Sequence, residues 1–184
     1  LDAEIPVVLD ADGLGAHARR LAGLAGRSAP TVLTPHAGEL GRLLGCDSAE
    51  IERERLRHVR TAAELAQGVV VLKGDDTLIA DPSGRVAVSP GDSPALATAG
   101  TGDVLTGVVA ALLAQGLDGF TAAAAGVWLH AEAGREAALR LGVLDGVIAG
   151  DVIDALPAAR ARAGGAERAG DKATAAQAGP GGRA

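Results

Sequence analysis

The sequence ATAGTGDVL, residues 97–105, carries the most information about this chain. It follows a loop rich in Gly and Pro and leads into an apolar run that predicts a helix over residues 103–115. Glycines let the backbone approach a ligand closely, and the unpaired amides of a first helical turn attract an anion. We therefore expect phosphate oxygens at this turn, with Asp103 placed to accept a proton from a substrate hydroxyl.

The same stretch has a purely structural alternative. The glycines would then shape a tight turn, and Asp103 would only cap the helix. For an isolated Gly-x-Gly-Asp that alternative is the better one, but the longer motif and the helix after it favour a binding function.

Short apolar runs alternate with helical segments through the first half of the chain. Residues 6–9, 31–33 and 69–72 have the pattern of buried strands, and such strands separated by helices are typical of a parallel sheet covered on both faces. Residues 77–80 and 85–88 flank a Gly- and Pro-containing turn and predict an antiparallel hairpin. Helices are predicted over residues 15–24, 48–67 with Ser48 as the cap, 103–115, 121–141 and 148–156.

Composition narrows the classes of protein. The 184 residues carry a net charge of −6 and no basic stripe, which argues against nucleic acid as a partner. A single cysteine, Cys46, excludes an internal disulfide and fits a reducing compartment, so we expect a cytoplasmic protein. The longest apolar run is too short to span a membrane. The chain turns to Ala, Gly and scattered charge near Arg160, which predicts one domain over residues 1–160 and a disordered tail over residues 161–184.

Other residues with useful chemistry follow the predicted strands. Lys73 directly follows an apolar strand, where open α/β sheets bind ligands, although an ordinary exposed lysine is the alternative. His36 fits a solvated loop histidine as well as a ligand contact. Asp10 and Asp12 would suit a role in positioning substrate or magnesium, or a plain turn.

Two further features predict structure rather than binding. The segment between Arg53 and Arg60 is rich in arginine, and a charged run of this kind on a helix is usually a solvated face. His130 lies inside a predicted helix beside Trp128 and Leu129, and we expect it to pack in the core.

Several motifs in one order resemble a known family. They are Val8 to Leu14, Thr34-Pro35-His36-Ala37-Gly38-Glu39, Lys73-Gly74-Asp75-Asp76-Thr77, and Ala97 to Leu105. Together they resemble the ADP-dependent NAD(P)H-hydrate dehydratases of the ribokinase-like superfamily, over residues 6–157. The chain departs from the family at Ser93 and Ala95, where many members carry Asn and Gly.

The resemblance implies a reaction and a site. The family uses ADP, with Mg²⁺, to activate the hydroxyl of hydrated NADH or NADPH (the S-epimer) and eliminate it, giving NADH or NADPH, AMP and phosphate. Asp103 is then the expected catalytic base and contacts the substrate. The substrate loop would consist of Thr34, Pro35, His36, Gly38 and Glu39, and the nucleotide (ADP or ATP) would contact Lys73, Gly74, Asp75, Asp76, Thr77, Ala99, Gly100, Thr101 and Gly102. No metal ligand is expected from the protein itself.

The resemblance also implies a fold and a context. The expected fold is a ribokinase-like three-layer α/β/α domain whose mostly parallel sheet carries an antiparallel hairpin. The sequence contains no Met, and the family domain begins before Leu1, so we expect the C-terminal part of a domain whose first strands are missing here. The complete protein is expected to be a homo-oligomer. A thiazole- or pyrimidine-type kinase of the same fold is the alternative function, and a non-enzymatic nucleotide-binding module is a third. An upstream epimerase domain is left open.

Overall fold

The computed structural model describes residues 3–90, 96–143 and 146–177. Its strands are β1 (Val7–Leu9), β2 (Thr31–Leu33), β3 (Val69–Leu72), β4 (Thr77–Ala80) and β5 (Val86–Ser89). Its helices are α1 (Ala11–Gly15), α2 (Ala37–Leu44), α3 (Ser48–Arg53), α4 (Arg55–Ala66), α5 (Thr101–Ala114), α6 (Gly119–Leu141) and α7 (Ala149–Gln177), with a 3₁₀ turn at Leu21–Leu24.

The five strands form one sheet in the order β1-β2-β3-β4-β5. The first three strands are parallel, and the chain then reverses so that β4 and β5 pair antiparallel. Asp81 organises the turn between β4 and β5, because its Oδ1 accepts hydrogen bonds from the Ser83 amide and hydroxyl. Gly84 takes the left-handed conformation in that turn, with φ of +87°. The predicted mostly parallel sheet and its hairpin are confirmed.

Alternation along the strands divides the core into two layers. In β3, Val70 and Leu72 face one cluster, whereas Val69 and Val71 face the other, as the two-residue period of a strand requires. The first layer is filled by α2 to α4 and their Leu, Ile and Ala side chains. The second is filled by α5 and α6. The result is the expected three-layer α/β/α arrangement, and its core is almost entirely aliphatic.

Two predicted helices are wrong in detail. Residues 15–24 do not form a helix: α1 ends at Gly15, and Arg19 adopts a positive φ of 57° that stops any continuation before the 3₁₀ turn. The helix predicted over residues 48–67 is two helices, because Glu54 leaves the helical region with φ of −134° and ψ of 45°. The cap of α3 is Asp47 rather than Ser48, since Asp47 Oδ1 accepts the Glu50 amide hydrogen at 2.7 Å.

The later helices start earlier or run longer than predicted. Helix α5 begins at Thr101 instead of 103, and α6 begins at Gly119, where Asp118 caps it by accepting two amide hydrogens. Helix α7 runs well past residue 156, so its backbone continues into the segment predicted to be a disordered tail. Disorder of that tail stays a prediction, and residues 178–184 lie outside the described residues. Within the described residues, no helix combines the length and apolarity that a membrane crossing requires.

Candidate active site

The motifs after β2 and β3 meet at the carboxyl edge of the parallel strands. The Lys73 amide donates a hydrogen bond to the Pro35 carbonyl at 2.8 Å, and His36 and Lys73 form an isolated parallel bridge. Parallel neighbours end at the same edge of a sheet, so this contact follows from the topology. The loop predicted to contact substrate and the loop predicted to contact nucleotide are therefore joined through their backbones.

Two side chains of the loop after β2 cap the N-terminus of helix α2. His36 is the N-cap of α2, and its Nδ1 accepts the amide hydrogens of Gly38 and Glu39 at 3.0 and 3.3 Å. In return, the Glu39 carboxylate accepts the His36 amide hydrogen at 2.9 Å, which completes a capping box. Thr34 and Pro35 are buried behind this loop, and the side chain of His36 is 55% exposed. Of the loop, the imidazole is the group most accessible to a ligand.

The N-terminus of α5, in contrast to that of α2, has no side-chain cap. Gly100 precedes the helix in the left-handed conformation, with φ of +87°, and no side chain caps the first turn. Asp103 lies exposed in that turn, and the N-cap position before it is a glycine, which has no side chain to accept an amide hydrogen. The binding role and the structural role of Asp103 both stay predictions. A Cβ atom built on Gly102 would lie 3.4 Å from Lys73 Nζ, which places this turn directly beside the lysine ammonium.

Lys73 forms an ion pair with Asp10, a residue for which the sequence left several roles open. Its Nζ donates to Asp10 Oδ1 at 2.9 Å and lies 3.9 Å from Glu39 Oε2. Thr106 donates to the other oxygen of Asp10 at 2.8 Å. Burial would raise the pKa of Asp10, but the hydrogen bonds from Lys73 and Thr106 and the lysine charge outweigh it, so the pKa lies below its ordinary value. Asp10 is therefore the charged partner of Lys73.

A cavity of about 750 Å³ lies against these loops, a volume typical of small-molecule sites. The glycine-rich turn, the loop after β3 and helix α6 supply its walls. Asp76, Ala99, Gly100 and Asp103 do not line it, nor does the loop after β2. The predicted nucleotide contacts that do line it are Lys73, Gly74, Asp75, Thr77, Thr101 and Gly102.

His130 lines the same cavity from α6 and is 7% exposed, so its predicted place in the core is confirmed. Burial lowers the pKa of His130 to about 4, against a smaller opposing effect of a hydrogen bond with the Thr101 backbone. The imidazole is thus neutral at ordinary pH. Its Nε2 is buried without a hydrogen-bond partner among the described residues.

Arg55 supports the loop after β3 and was missed because the whole arginine-rich segment was expected to be solvated. Its Nη2 donates to the Asp76 carbonyl at 2.7 Å and to the Leu72 carbonyl at 3.3 Å. Its side chain is only 13% exposed. The break at Glu54 separates Arg55 from α3, and no periodic pattern in the sequence announced that break. The expectation of a uniformly solvated face is wrong at this residue.

The described residues do not offer a metal cage. No group of three or more His, Cys, Asp or Glu side chains in the described part of the chain is arranged to hold an ion. The two carboxylates nearest Lys73 already face its ammonium group. A Mg²⁺ ion accompanying a nucleotide would therefore depend mainly on phosphate oxygens, which is its usual mode of binding at such sites.

Fold and site together define a ribokinase-like α/β domain. A ribokinase-like superfamily protein from Enterococcus faecalis has a similar structure, with a TM-score of 0.65 and 28% identity over 82% of this chain and 50% of that one. Residues 1–158 match the family described as NAD(P)H-hydrate dehydratase, and the chain belongs to that family. The positions Ser93 and Ala95, where the sequence departs from many members, lie outside the described residues.

Individual relatives agree with this assignment. The chain is 47% identical to a bifunctional NAD(P)H-hydrate repair enzyme of Moorella thermoacetica, over 84% of this chain and 29% of the relative. It is 42% identical to an ADP-dependent (S)-NAD(P)H-hydrate dehydratase of Neisseria meningitidis, over 84% of this chain and 52% of the relative. The structure of ADP/ATP-dependent NAD(P)H-hydrate dehydratase from Bacillus subtilis, co-crystallised with ATP and Mg²⁺, matches with a TM-score of 0.77 and 36% identity, over 88% of this chain and 56% of that one. The chain thus spans about half or less of the length of these relatives.

Proposed function

We propose that this chain contributes to the ADP-dependent dehydration of hydrated NADH and NADPH, of the S-epimer, with AMP and phosphate as the other products. The observation that carries the proposal is the pairing of an uncapped helix start with a carboxylate: the N-cap of α5 is Gly100, which provides no side-chain cap, and Asp103 stands exposed in the first turn. Such an end attracts phosphate through its free amides and dipole.

Each loop has a separate role in the proposal. The turn at residues 99–102 holds the phosphates, with Lys73 beside it as a point charge and with Gly74, Asp75 and Thr77 in the wall around the nucleotide. The loop of residues 34–39 holds the nicotinamide nucleotide, chiefly through His36, whose imidazole is exposed. Its junction with Lys73 through the Pro35 carbonyl brings the two ligands to one edge of the sheet.

Asp103 acts as the general base. The hydrate hydroxyl loses its proton to Asp103 as its oxygen takes a phosphoryl group from ADP, and AMP leaves. The phosphorylated oxygen then departs as inorganic phosphate together with a proton from the neighbouring ring carbon, which restores the reduced nicotinamide. General-base catalysis of this kind typically contributes about 10²–10⁴-fold in rate.

The proposal includes a Mg²⁺ requirement and a cellular context. The Bacillus subtilis relative was co-crystallised with ATP and Mg²⁺, and we infer that ADP or ATP reaches this site with Mg²⁺ on its phosphates, where the ion would neutralise phosphate charge. We place the reaction in the cytoplasm, since the chain has one cysteine and no disulfide. We also propose that the complete protein is a homo-oligomer, without nucleic-acid or membrane partners.

The test is direct turnover. The full-length protein is incubated with the S-epimer of hydrated NADH, Mg²⁺ and either ADP or ATP, and the return of reduced-nicotinamide absorbance and the release of AMP are followed together. We expect NADH and AMP in equal amounts, and no reaction when the nucleotide is omitted. Absence of NADH, combined with phosphorylation of a thiazole or pyrimidine alcohol by ATP, would establish the kinase alternative instead.

A further inference from the structure

Asp10 connects three parts of the fold through one carboxylate. It follows β1, and its Oδ1 accepts a hydrogen bond from Lys73 at the end of β3 at 2.9 Å. Its Oδ2 accepts a hydrogen bond from Thr106 on α5 at 2.8 Å. These partners lie 63 and 96 residues away along the chain. The carboxylate is mostly buried, with 11% of the side chain exposed.

The position of Thr106 makes this connection relevant to the glycine-rich turn. Thr106 lies three residues after Asp103 and four after Gly102, so it projects from the same face of α5 as both. Anchoring its hydroxyl fixes the rotation of the first helical turn about the helix axis. The turn also faces Lys73, whose Nζ would lie 3.4 Å from a Cβ atom on Gly102. One carboxylate therefore fixes the lysine and the helix end relative to each other.

Charge alone does not explain why a carboxylate is present there. A negative group 2.9 Å from Lys73 offsets part of the positive charge that would attract a phosphate. A buried ion pair is also a weak source of stability, because replacing both partners by apolar groups is often neutral or stabilising. What the carboxylate supplies is geometry, since its two oxygens hold two separate elements.

We propose that Asp10 is a positioning residue for the dehydratase reaction, holding Lys73 and the first turn of α5 in the relative position that phosphoryl transfer requires. The inference rests on the proposed function. It concerns turnover more than affinity, because the amides that would hold phosphate are unchanged when Asp10 is replaced. Misplacement of catalytic groups by about 1 Å can reduce a rate by about a hundredfold.

Two pairs of variants of the full-length protein test this role. Asp10→Ala removes both hydrogen bonds, whereas Asp10→Asn keeps the shape and one acceptor and loses the charge. Thr106→Val removes the bond between Asp10 and α5, together with the 3.5 Å contact between the Thr106 and Thr34 hydroxyls, whereas Thr106→Ser keeps the hydroxyl. We expect Asp10→Ala to lower kcat about ten- to a hundredfold and Thr106→Val about tenfold, with the KM for ADP changed by no more than about threefold. Asp10→Asn and Thr106→Ser should recover most of the lost kcat.

The control is Glu64→Gln on the exposed face of α4, which should leave both constants unchanged. If Asp10→Ala does not fold, the Thr106 pair decides the question by itself. Unchanged kcat in Thr106→Val, or equal losses in Thr106→Val and Thr106→Ser, would overturn the inference.

Failure of this inference is distinct from failure of the proposed function. If the unaltered protein does not convert hydrated NADH with ADP, the proposed function is lost and the inference with it. If the unaltered protein is active, and Asp10→Ala and Thr106→Val both keep its full kcat, only the positioning role is lost.

Discussion

Helices α2 and α5 both begin at the ligand edge of the sheet, and their first turns are finished in opposite ways. At α2, the His36 imidazole accepts two amide hydrogens, and the Glu39 carboxylate accepts the amide hydrogen of His36. At α5, the cap position is occupied by a left-handed glycine, and no side chain accepts the first amide hydrogens. An unsatisfied helix end needs partners from elsewhere.

This difference indicates what each end is for. The capping box at the start of α2 leaves the His36 imidazole exposed at the surface. At the uncapped start of α5 we propose that an outside anion binds, with the exposed Asp103 carboxylate beside it. Four predictions test this contrast, from the largest expected effect to the smallest.

The first prediction concerns the carboxylate at the uncapped end. Asp103→Asn keeps the shape of the side chain and removes the base, so turnover of hydrated NADH should fall at least about a hundredfold. ADP binding should persist, because the backbone amides are unaltered. Both quantities are to be measured on one folded preparation, by kinetics and by calorimetry. Near-normal turnover would remove Asp103 from the mechanism.

The second prediction concerns His130, which contacts the Thr101 backbone at the uncapped end and has no counterpart at α2. Because its pKa falls from an ordinary value of 6.5 to about 4, the unfolded chain binds a proton in this interval that the folded protein does not. The free energy of unfolding should therefore decrease as pH falls from 6.5 to about 4, by up to about 3 kcal/mol.

Denaturant unfolding of the protein and of His130→Gln across this pH range checks the assignment. The variant should show a shallower decline between pH 6.5 and about 4, whatever its stability at neutral pH. Asp10 and Asp81, whose pKa values are lowered, contribute in both proteins as pH falls through and below the ordinary aspartate pKa of 3.8. Parallel pH curves for the two proteins would show that His130 does not cause the acid sensitivity.

The third prediction concerns the turn itself. In Gly102→Val the branched side chain would stand between the backbone and a phosphate, beside Lys73, so ADP affinity should fall about tenfold. Gly107→Val on the same helix is the matched control, since a Cβ atom there meets nothing within 4 Å. Equal ADP affinity in the two folded variants would argue against phosphate binding at this turn.

The fourth prediction concerns the closed end of α2. Glu39→Ala removes one half of the capping box and should cost about 1 kcal/mol of unfolding free energy. Glu39→Gln retains an acceptor at that position and should cost less. Thermal or denaturant unfolding of the two variants gives the comparison. A loss in Glu39→Gln as large as that in Glu39→Ala would assign the effect to the nearby Lys73 charge instead.

The sequence was informative where local pattern and topology coincide. Apolar runs located β1, β2 and β3, and parallel pairing then required the loops at His36 and Lys73 to be neighbours. It was less informative where one residue leaves its regular conformation. Arg19 and Glu54 interrupt predicted helices through their backbone angles, and neither is a Gly or Pro that would have signalled a break.

Partners far apart in the chain could not be predicted from pattern. Asp10 had two open roles by sequence, substrate or magnesium positioning and a plain turn, and only the fold places it against Lys73 and Thr106. Arg55 looked like one more charge on a solvated helix, but the break before it turns its guanidinium toward the carbonyls of the loop after β3. Such contacts depend on how elements dock, which periodicity does not encode.

The hydrogen bond from the Lys73 amide to the Pro35 carbonyl has a consequence for how such a domain can change over generations. Both atoms belong to the main chain, so proline is the one substitution at position 73 that removes the link, because it lacks the N–H donor. Side chains in either loop can therefore be exchanged by mutation while the spacing between the loops is inherited unchanged. The preference of one loop for its ligand can therefore change by mutation without moving the binding position of the ligand at the other loop.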